Sequence, residues 1–310
     1  MNAAGEALVD AIRGSGRTRV AFLGLAKNVG KTTAIVAALE GLHQCGIRAA
    51  ATSAGRDGEA FDAITGEPKP RFRVWPGQLV ASASSTFDSA SFASGPIEAF
   101  PFATRFGRIE LRGVREEGGE IELIGPSTAS EMEMTAVAAE AAGARVVLLD
   151  GAIGRRAFAG ARVADAVVLC VGMSAGPSLD AVVAAARAAV ELIRLEPPPS
   201  GAAIREHSGA VTSEAVSEDP PTRGDVLVAA DFTSIFLSSA ERERLRGRGV
   251  SLAVRRPSLL LAVTTNPTAP GRPPLPARTL FDAVRAALPR TRVLDLVADL
   301  RSEAPPFTVA

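Results

Sequence analysis

The sequence predicts an α/β fold, with a mostly parallel sheet covered by helices on both faces. Three apolar runs, residues 18–24, 145–152 and 165–172, are typical of buried parallel strands. The first and third are followed by alanine-rich stretches with helical spacing, 31–45 and 178–195. Strands that alternate with helices along a chain indicate a parallel sheet with crossover helices.

The first strand and helix are joined by a glycine-rich loop that ends in Gly30-Lys31-Thr32-Thr33. Glycines let the backbone come close to phosphate oxygens, and the following helix presents its positive end to the anion. Lys31 is placed to reach the β- and γ-phosphates of a nucleotide, and the Thr32 hydroxyl to hold Mg²⁺. The other candidate phosphate-binding positions are Gly24, Lys27, Asn28, Val29, Gly30 and Thr33. The alternative is an ordinary strand–turn–helix with Gly-Lys-Thr present by chance.

A second strand is predicted at 47–52, followed by a polar, glycine-rich loop. Loops after parallel strands carry ligand chemistry because they emerge at one edge of the sheet. Asp57 is therefore a candidate for a water-mediated contact to Mg²⁺, with Glu59 and Asp62 as neighbouring candidates. A solvated acidic turn is the alternative interpretation.

Residues 66–125 are predicted to form an insertion in the nucleotide-binding part. Its first half, 66–104, is proline-punctuated and rich in small residues, which indicates an irregular lid or interface segment. Alternation in 108–112 and 121–124 then predicts a β-hairpin. Lys69 is a surface lysine in a turn or, as the resemblance of Lys69-Pro70 to the substrate-binding Lys-Pro of dethiobiotin synthetases implies, a substrate contact.

The strand at 145–152 ends in Asp150-Gly151-Ala152, after a helix that begins near Thr128. An apolar strand ending in an acid has the form of a Walker B segment, whose carboxylate orders the shell of a magnesium ion. Asp150 and Lys31 are therefore the predicted catalytic pair. The alternative is an aspartate that caps the next helix. Arg155 and Arg156 follow and could contact phosphate or substrate.

The core is predicted to span 1–195, followed by a linker or excursion at 196–224 with five prolines. Residues 225–310 are predicted to complete the same sheet. Asn266 follows a core strand, where a carboxamide suits the donor and acceptor of an adenine edge. A turn-forming Asn-Pro is the alternative. No Asn-Lys-x-Asp sequence for guanine is present, which favours ATP over GTP.

Composition excludes several function classes. Lys plus Arg equals Asp plus Glu at 34 each, so no basic field exists for nucleic acid or an anionic membrane. Cys45 and Cys170 are far apart and predict neither a disulfide framework nor a zinc site, which makes cytoplasm the expected location. No run of 18 apolar residues predicts a membrane span, and residues 1–17 do not have the pattern of a signal peptide.

The spacing Gly-x5-Gly-Lys-Thr and the run Asp150-Gly151-Ala152 resemble the P-loop NTPase branch that contains dethiobiotin synthetase, cobyrinic acid synthase and the partition ATPases. The resemblance covers about residues 18–195 and implies ATP and Mg²⁺ as ligands. Partition ATPases often carry an early loop lysine that acts across a homodimer. Lys27 lies one position later than that lysine, with Ala26 in its place, so this role is not carried over.

The resemblance leaves two enzymatic functions. One is an ATPase whose nucleotide cycle acts on a protein client; the loop and the following Gly-x-Asp-Gly-Glu also resemble small ATPases associated with adenosylcobalamin-dependent aminomutases. The other is an ATP-dependent ligase that phosphorylates a small carboxylate or carbamate, although the Lys-Pro expected soon after the second strand is missing. A nucleotide-binding structural protein without turnover is a third possibility.

Overall fold

The computed structural model describes residues 1–54, 71–152 and 160–302. Its helices are α1 (Ala3–Gly14), α2 (Lys31–Gln44), α3 (Ala129–Ala141), α4 (Leu179–Ile193), α5 (Ser213–Glu218), α6 (Ser239–Gly247) and α7 (Ala277–Ala287). Its strands are β1 (Arg19–Gly24), β2 (Ala49–Ser53), β3 (Phe72–Val74), β4 (Leu79–Ala83), β5 (Ala93–Thr104), β6 (Gly107–Val114), β7 (Gly119–Ile121), β8 (Val146–Ala152), β9 (Ala166–Gly172), β10 (Ala203–Glu206), β11 (Asp225–Ala229), β12 (Ser251–Val254), β13 (Leu259–Asn266), β14 (Val293–Asp295) and β15 (Leu300–Arg301). Within the described ranges, no helix has the length and apolar character needed to cross a membrane.

Ten of the described strands form one sheet, in the order β15-β14-β13-β9-β1-β8-β2-β4-β6-β5. From β14 to β4 every neighbouring pair is parallel. Antiparallel pairs occur at the two edges, where β15 joins β14 and where β6 and β5 follow β4. The predicted α/β class with a mostly parallel central sheet is confirmed.

Alternate residues of β1 face opposite sides of this sheet, as the period of a strand requires. Val20 and Phe22 belong to an apolar core that also contains residues of α1 and α2. Ala21 and Leu23 belong to a second core, shared with α3, α4 and α7. Helices therefore cover both faces, and β1 is buried between them.

The predicted start of α3 is also confirmed. The Thr128 hydroxyl accepts a hydrogen bond from the Glu131 backbone at 3.2 Å, and the Glu131 carboxylate accepts one from the Thr128 backbone at 3.0 Å. This reciprocal cap satisfies two N–H groups that a helix start leaves without intrahelical partners.

The prediction of irregular structure across 66–104 is wrong for its described part, which contains β3, β4 and β5. The β4 sequence Leu-Val-Ala-Ser-Ala is buried throughout and lies between β2 and β6. Its small side chains fit an interior strand but lack the alternation that marks a strand with one solvated face. Pro96 and Pro101 lie in β5, an edge strand, where a missing N–H is tolerated.

The insertion contains a hairpin, but the predicted pairing of 108–112 with 121–124 is wrong. β6 pairs with β5 across a turn in which Thr104 lies opposite Gly107, whose φ is 108°. β7 pairs with β3 in a separate two-stranded sheet. Both edges of β6 are paired, one with β5 and the other with β4, so neither is left for β7.

Of the two alternatives for 196–224, the structure favours an excursion over a linker, because these residues contain β10 and α5. The expectation that 225–310 complete the main sheet needs correction. β10 pairs with β11 and β12 in a separate three-stranded parallel sheet, so only β13, β14 and β15 extend the main sheet. Apolar periodicity indicates that a strand is buried, but it does not indicate which sheet the strand joins.

Candidate functional site

Parallel pairing brings candidate residues together at one end of the main sheet, where the carboxyl ends of its parallel strands lie. β1 lies between β8 and β9, with Phe22 opposite Asp150. Asn266, at the end of β13, lies opposite Gly172, at the end of β9. The chain moves from β1 to β2 in one direction across the sheet and from β9 to β13 in the other. Parallel sheets bind ligands at such switch points, beyond the carboxyl ends of their strands.

The loop after β1 has the backbone geometry of a concave anion site. Asn28 and Gly30 are left-handed, with φ of 57° and 86°. A Cβ added at Gly24 would lie 2.7 Å from Lys31 Cδ, so only glycine leaves room for the lysine stem. No hydrogen-bond acceptor for the N–H groups of residues 29–33 is found in the described part of the chain. Successive unpartnered N–H groups at a helix start attract anions.

Lys31 and Asp150 face each other across the end of β1. Lys31 Nζ lies 3.5 Å from Asp150 Oδ1, and the two side chains are 20% and 17% exposed. The Ser53 hydroxyl donates to Asp150 Oδ2 at 3.2 Å. Oδ1 is buried and accepts no hydrogen bond from any described residue. A buried carboxylate oxygen that accepts no hydrogen bond from the described residues suits contact with a cation or an ordered water.

The hydroxyl residues that follow Lys31 begin α2 at the mouth of the same loop. Thr32 is half-buried and Thr33 is exposed. Lys27 is exposed in the loop and has an interaction partner. Among the described residues, no group of three or more His, Cys, Asp or Glu side chains could by itself hold a metal ion.

Asn266 lies against the loop. Its Nδ2 donates to the Asn28 carbonyl at 2.9 Å, and its Oδ1 accepts from the backbone and hydroxyl of Thr268 at 3.2 and 2.8 Å. A Cβ added at Gly30 would lie 3.3 Å from Asn266 Cβ. The side chain predicted to read a base is therefore bonded to the protein at both of its polar ends.

The Cys170 thiol is buried in β9 beside the site. Burial raises the pKa of this thiol to about 12, although the charge of Lys31 and a hydrogen bond with Thr264 act to lower it. The thiol is therefore neutral at physiological pH and cannot serve as a nucleophile.

Several predicted positions lie outside the described residues. They are Asp57 with its neighbours Glu59 and Asp62, Lys69, and the pair Arg155 and Arg156. The structure therefore brings together Lys31, Asp150 and Asn266 with the loop, and it does not bear on these other candidates.

Sequence reasoning missed Ser53 and Gly172. Ser53 ends β2 opposite Asp150, and a serine at a strand end carries no recognisable signal. A Cβ added at Gly172 would lie 2.9 Å from Val29 Cα, so this glycine lets the loop pack onto the end of β9. A glycine directly after the apolar run 166–171 is the signal that could have indicated a close backbone approach.

Comparisons of the chain with protein-family models, curated proteins and solved structures found no match.

Proposed function

We propose that this chain is a P-loop ATPase that binds Mg·ATP at the loop between β1 and α2. The observation that carries the proposal is the approach of Lys31 to Asp150 beneath a loop whose N–H groups have no acceptor among the described residues. A cation, a row of amide donors and a half-buried carboxylate at a switch point match the charges of a triphosphate and its metal.

Each residue then has a role that its position supports. The amides of residues 29–33 and the Lys31 ammonium bind phosphate oxygens. Thr32 and Asp150 would hold Mg²⁺, directly or through water, since the Asp150 Oδ1 atom is buried without a hydrogen bond from the described residues. Magnesium would neutralise phosphate charge that develops during transfer. Two protein oxygens suffice, because Mg²⁺ in such sites keeps several waters and takes further oxygens from the phosphates.

The same proposal assigns the ATPase to work on a protein client, with a homodimer as its candidate assembly. This assignment is supported by the resemblance of the loop sequence to client-directed ATPases. Adenine is the expected base because the sequence lacks the guanine-reading motif. Asn266 contributes less support than its position suggested, since both ends of its carboxamide already have protein partners.

Titration of the protein with Mg·ATP tests the proposal. Lys31→Ala should weaken binding about ten- to a hundred-fold, as expected for loss of hydrogen bonds to a charged group. Lys31→Arg should also weaken it, since a planar guanidinium does not replace a compact ammonium in a narrow cradle. The matched control is Arg187→Ala, which removes a positive charge from an exposed position on α4. Unchanged affinity in Lys31→Ala would refute the assignment of the loop.

A further inference from the structure

Asn266 contacts the loop between β1 and α2, the proposed phosphate loop, from two strands away. It ends β13, which pairs with β9, and β9 in turn pairs with β1. Its carboxamide nevertheless donates to the carbonyl of Asn28, 238 positions earlier in the chain. The contact therefore joins the C-terminal part of the main sheet to the loop.

The bond acts at the point where the loop backbone turns. Asn28 has a φ of 57°, in the left-handed region that residues other than glycine rarely adopt. Because the peptide is planar and trans, fixing the Asn28 carbonyl towards Asn266 also fixes the Val29 N–H in the opposite direction. This N–H is one of the loop donors for which no acceptor is found in the described chain.

The orientation of the carboxamide is itself fixed. Thr268 donates to Oδ1 from both its backbone and its hydroxyl, so the NH₂ group is the end that faces Asn28. The Asn266 side chain also packs against Gly30, whose own left-handed conformation begins α2. The side chain thus contacts the loop at the residues before and after Val29.

Resting on the proposed function, we infer that Asn266 is a positioning residue for the phosphate loop and not the reader of the base. It holds the Asn28 carbonyl, and thereby the Val29 donor, in the orientation that binds phosphate. The substrate feature that depends on Asn266 is therefore the polyphosphate chain, whatever base it carries.

Binding of three ligands separates the two roles. ATP, GTP and inorganic tripolyphosphate, each with Mg²⁺, are titrated into the wild-type protein and into Asn266→Ala. Loss of one hydrogen bond should weaken all three ligands by the same factor, about two- to ten-fold. The matched control is Asn2→Ala, because Asn2 also donates from its carboxamide to a backbone carbonyl, that of Leu296 at 2.7 Å, but lies at the start of α1. This control should leave all three affinities unchanged.

A loss confined to ATP, with tripolyphosphate unaffected, would overturn the inference in favour of base reading. Unchanged binding of all three ligands would overturn it as well. If Asn266→Ala does not fold, Thr268→Val replaces it, since this variant removes the hydroxyl that orients the carboxamide and keeps the backbone donor. The same equal loss, by a smaller factor, is then expected, and an absent or ATP-selective loss overturns the inference. A wild-type protein that binds none of the three ligands would instead refute the proposed function.

Discussion

A methyl group added at Gly172 should displace the phosphate loop. The backbone of Gly172 is extended, with φ of −150° and ψ of 165°, so an alanine can adopt it without strain. The added Cβ would lie 2.9 Å from Val29 Cα, 3.1 Å from the Asn266 carbonyl oxygen and 3.2 Å from Val29 Cβ. Two of these three atoms belong to backbone, which cannot move aside as a flexible side chain can.

The size of the effect follows from these distances. Ordinary van der Waals contact begins near 3.4 Å, so Val29 must move by about half an ångström. Inserting a methyl group into a packed site costs about 1–3 kcal/mol. Asn266 is fixed in a core strand, whereas Val29 lies in a loop, so we expect the loop to give way. The cost then appears as a loss of phosphate affinity of about 5- to 150-fold.

Titration with Mg·ATP and with tripolyphosphate measures the part of this cost that lowers affinity, and thermal unfolding measures the part that lowers the stability of the fold. The control is Gly151→Ala, at the same end of the sheet, where an added Cβ would meet, among the described residues, only the Phe22 carbonyl oxygen at 3.9 Å. Gly172→Ala should bind both ligands more weakly than Gly151→Ala, with a fall in melting temperature of no more than a few degrees. Equal affinities for the two variants would refute the assigned close packing of Val29 on Gly172.

Three further outcomes are expected. Asp150→Asn should weaken binding of Mg·ATP more than binding of ATP without the metal. Ser53→Ala should do the same to a smaller extent, about 0.5–1.5 kcal/mol of binding free energy, because it removes one hydrogen bond to Asp150. Calorimetry with and without Mg²⁺ measures both effects. A thiol reagent at pH 8 should modify the exposed Cys45 in the native protein and Cys170 only after denaturation, because burial raises the Cys170 pKa to about 12. Mass spectrometry after labelling measures the order, and modification of Cys170 before Cys45 would contradict this prediction. The purified chain alone should hydrolyse ATP more slowly than the roughly 1–100 per second of kinases, because an arginine supplied by a partner can raise the hydrolysis rate about a thousand-fold or more. A coupled phosphate-release assay measures the rate. Kinase-like rates without any addition would contradict this expectation.

The parts of the fold that sequence could predict are those with a local signal. β1, α2 and β8 are marked by apolar runs, helical spacing and a strand that ends in Asp150, and the structure places these elements as adjacent strands and a covering helix. Lys31 and Asp150 could be paired in advance because parallel strands end at one edge of their sheet. Their separation of 3.5 Å agrees with that expectation.

The parts that sequence could not predict depend on pairing between distant segments. The alternation in β6 does not indicate its partners, and in the structure β6 lies between β4 and β5. The roles of Ser53 and Gly172 depend on contacts with Asp150 and Val29, which lie about a hundred or more positions away. The sequence predicts that Asn266 follows a core strand, and it lies at the end of β13. The direction of its carboxamide, however, depends on Thr268 and on the left-handed turn at Asn28.

If the proposed function holds, the contacts of Asp150 predict that metal and phosphate bind together. One oxygen of this carboxylate is bonded to Ser53, and the other has Lys31 at 3.5 Å as its nearest described positive charge. A phosphate group that draws Lys31 away would leave a half-buried carboxylate without its counter-charge, and a partly desolvated charge without a partner is unfavourable. A Mg²⁺ ion held at the proposed site would replace that counter-charge, because Lys31 could then move to phosphate while Asp150 keeps a cation nearby. Nucleotide affinity should therefore depend steeply on Mg²⁺ in the wild-type protein and less in Asp150→Asn, whose neutral side chain needs no cation. An equal dependence on Mg²⁺ in both proteins would show that Asp150 takes no part in holding the metal.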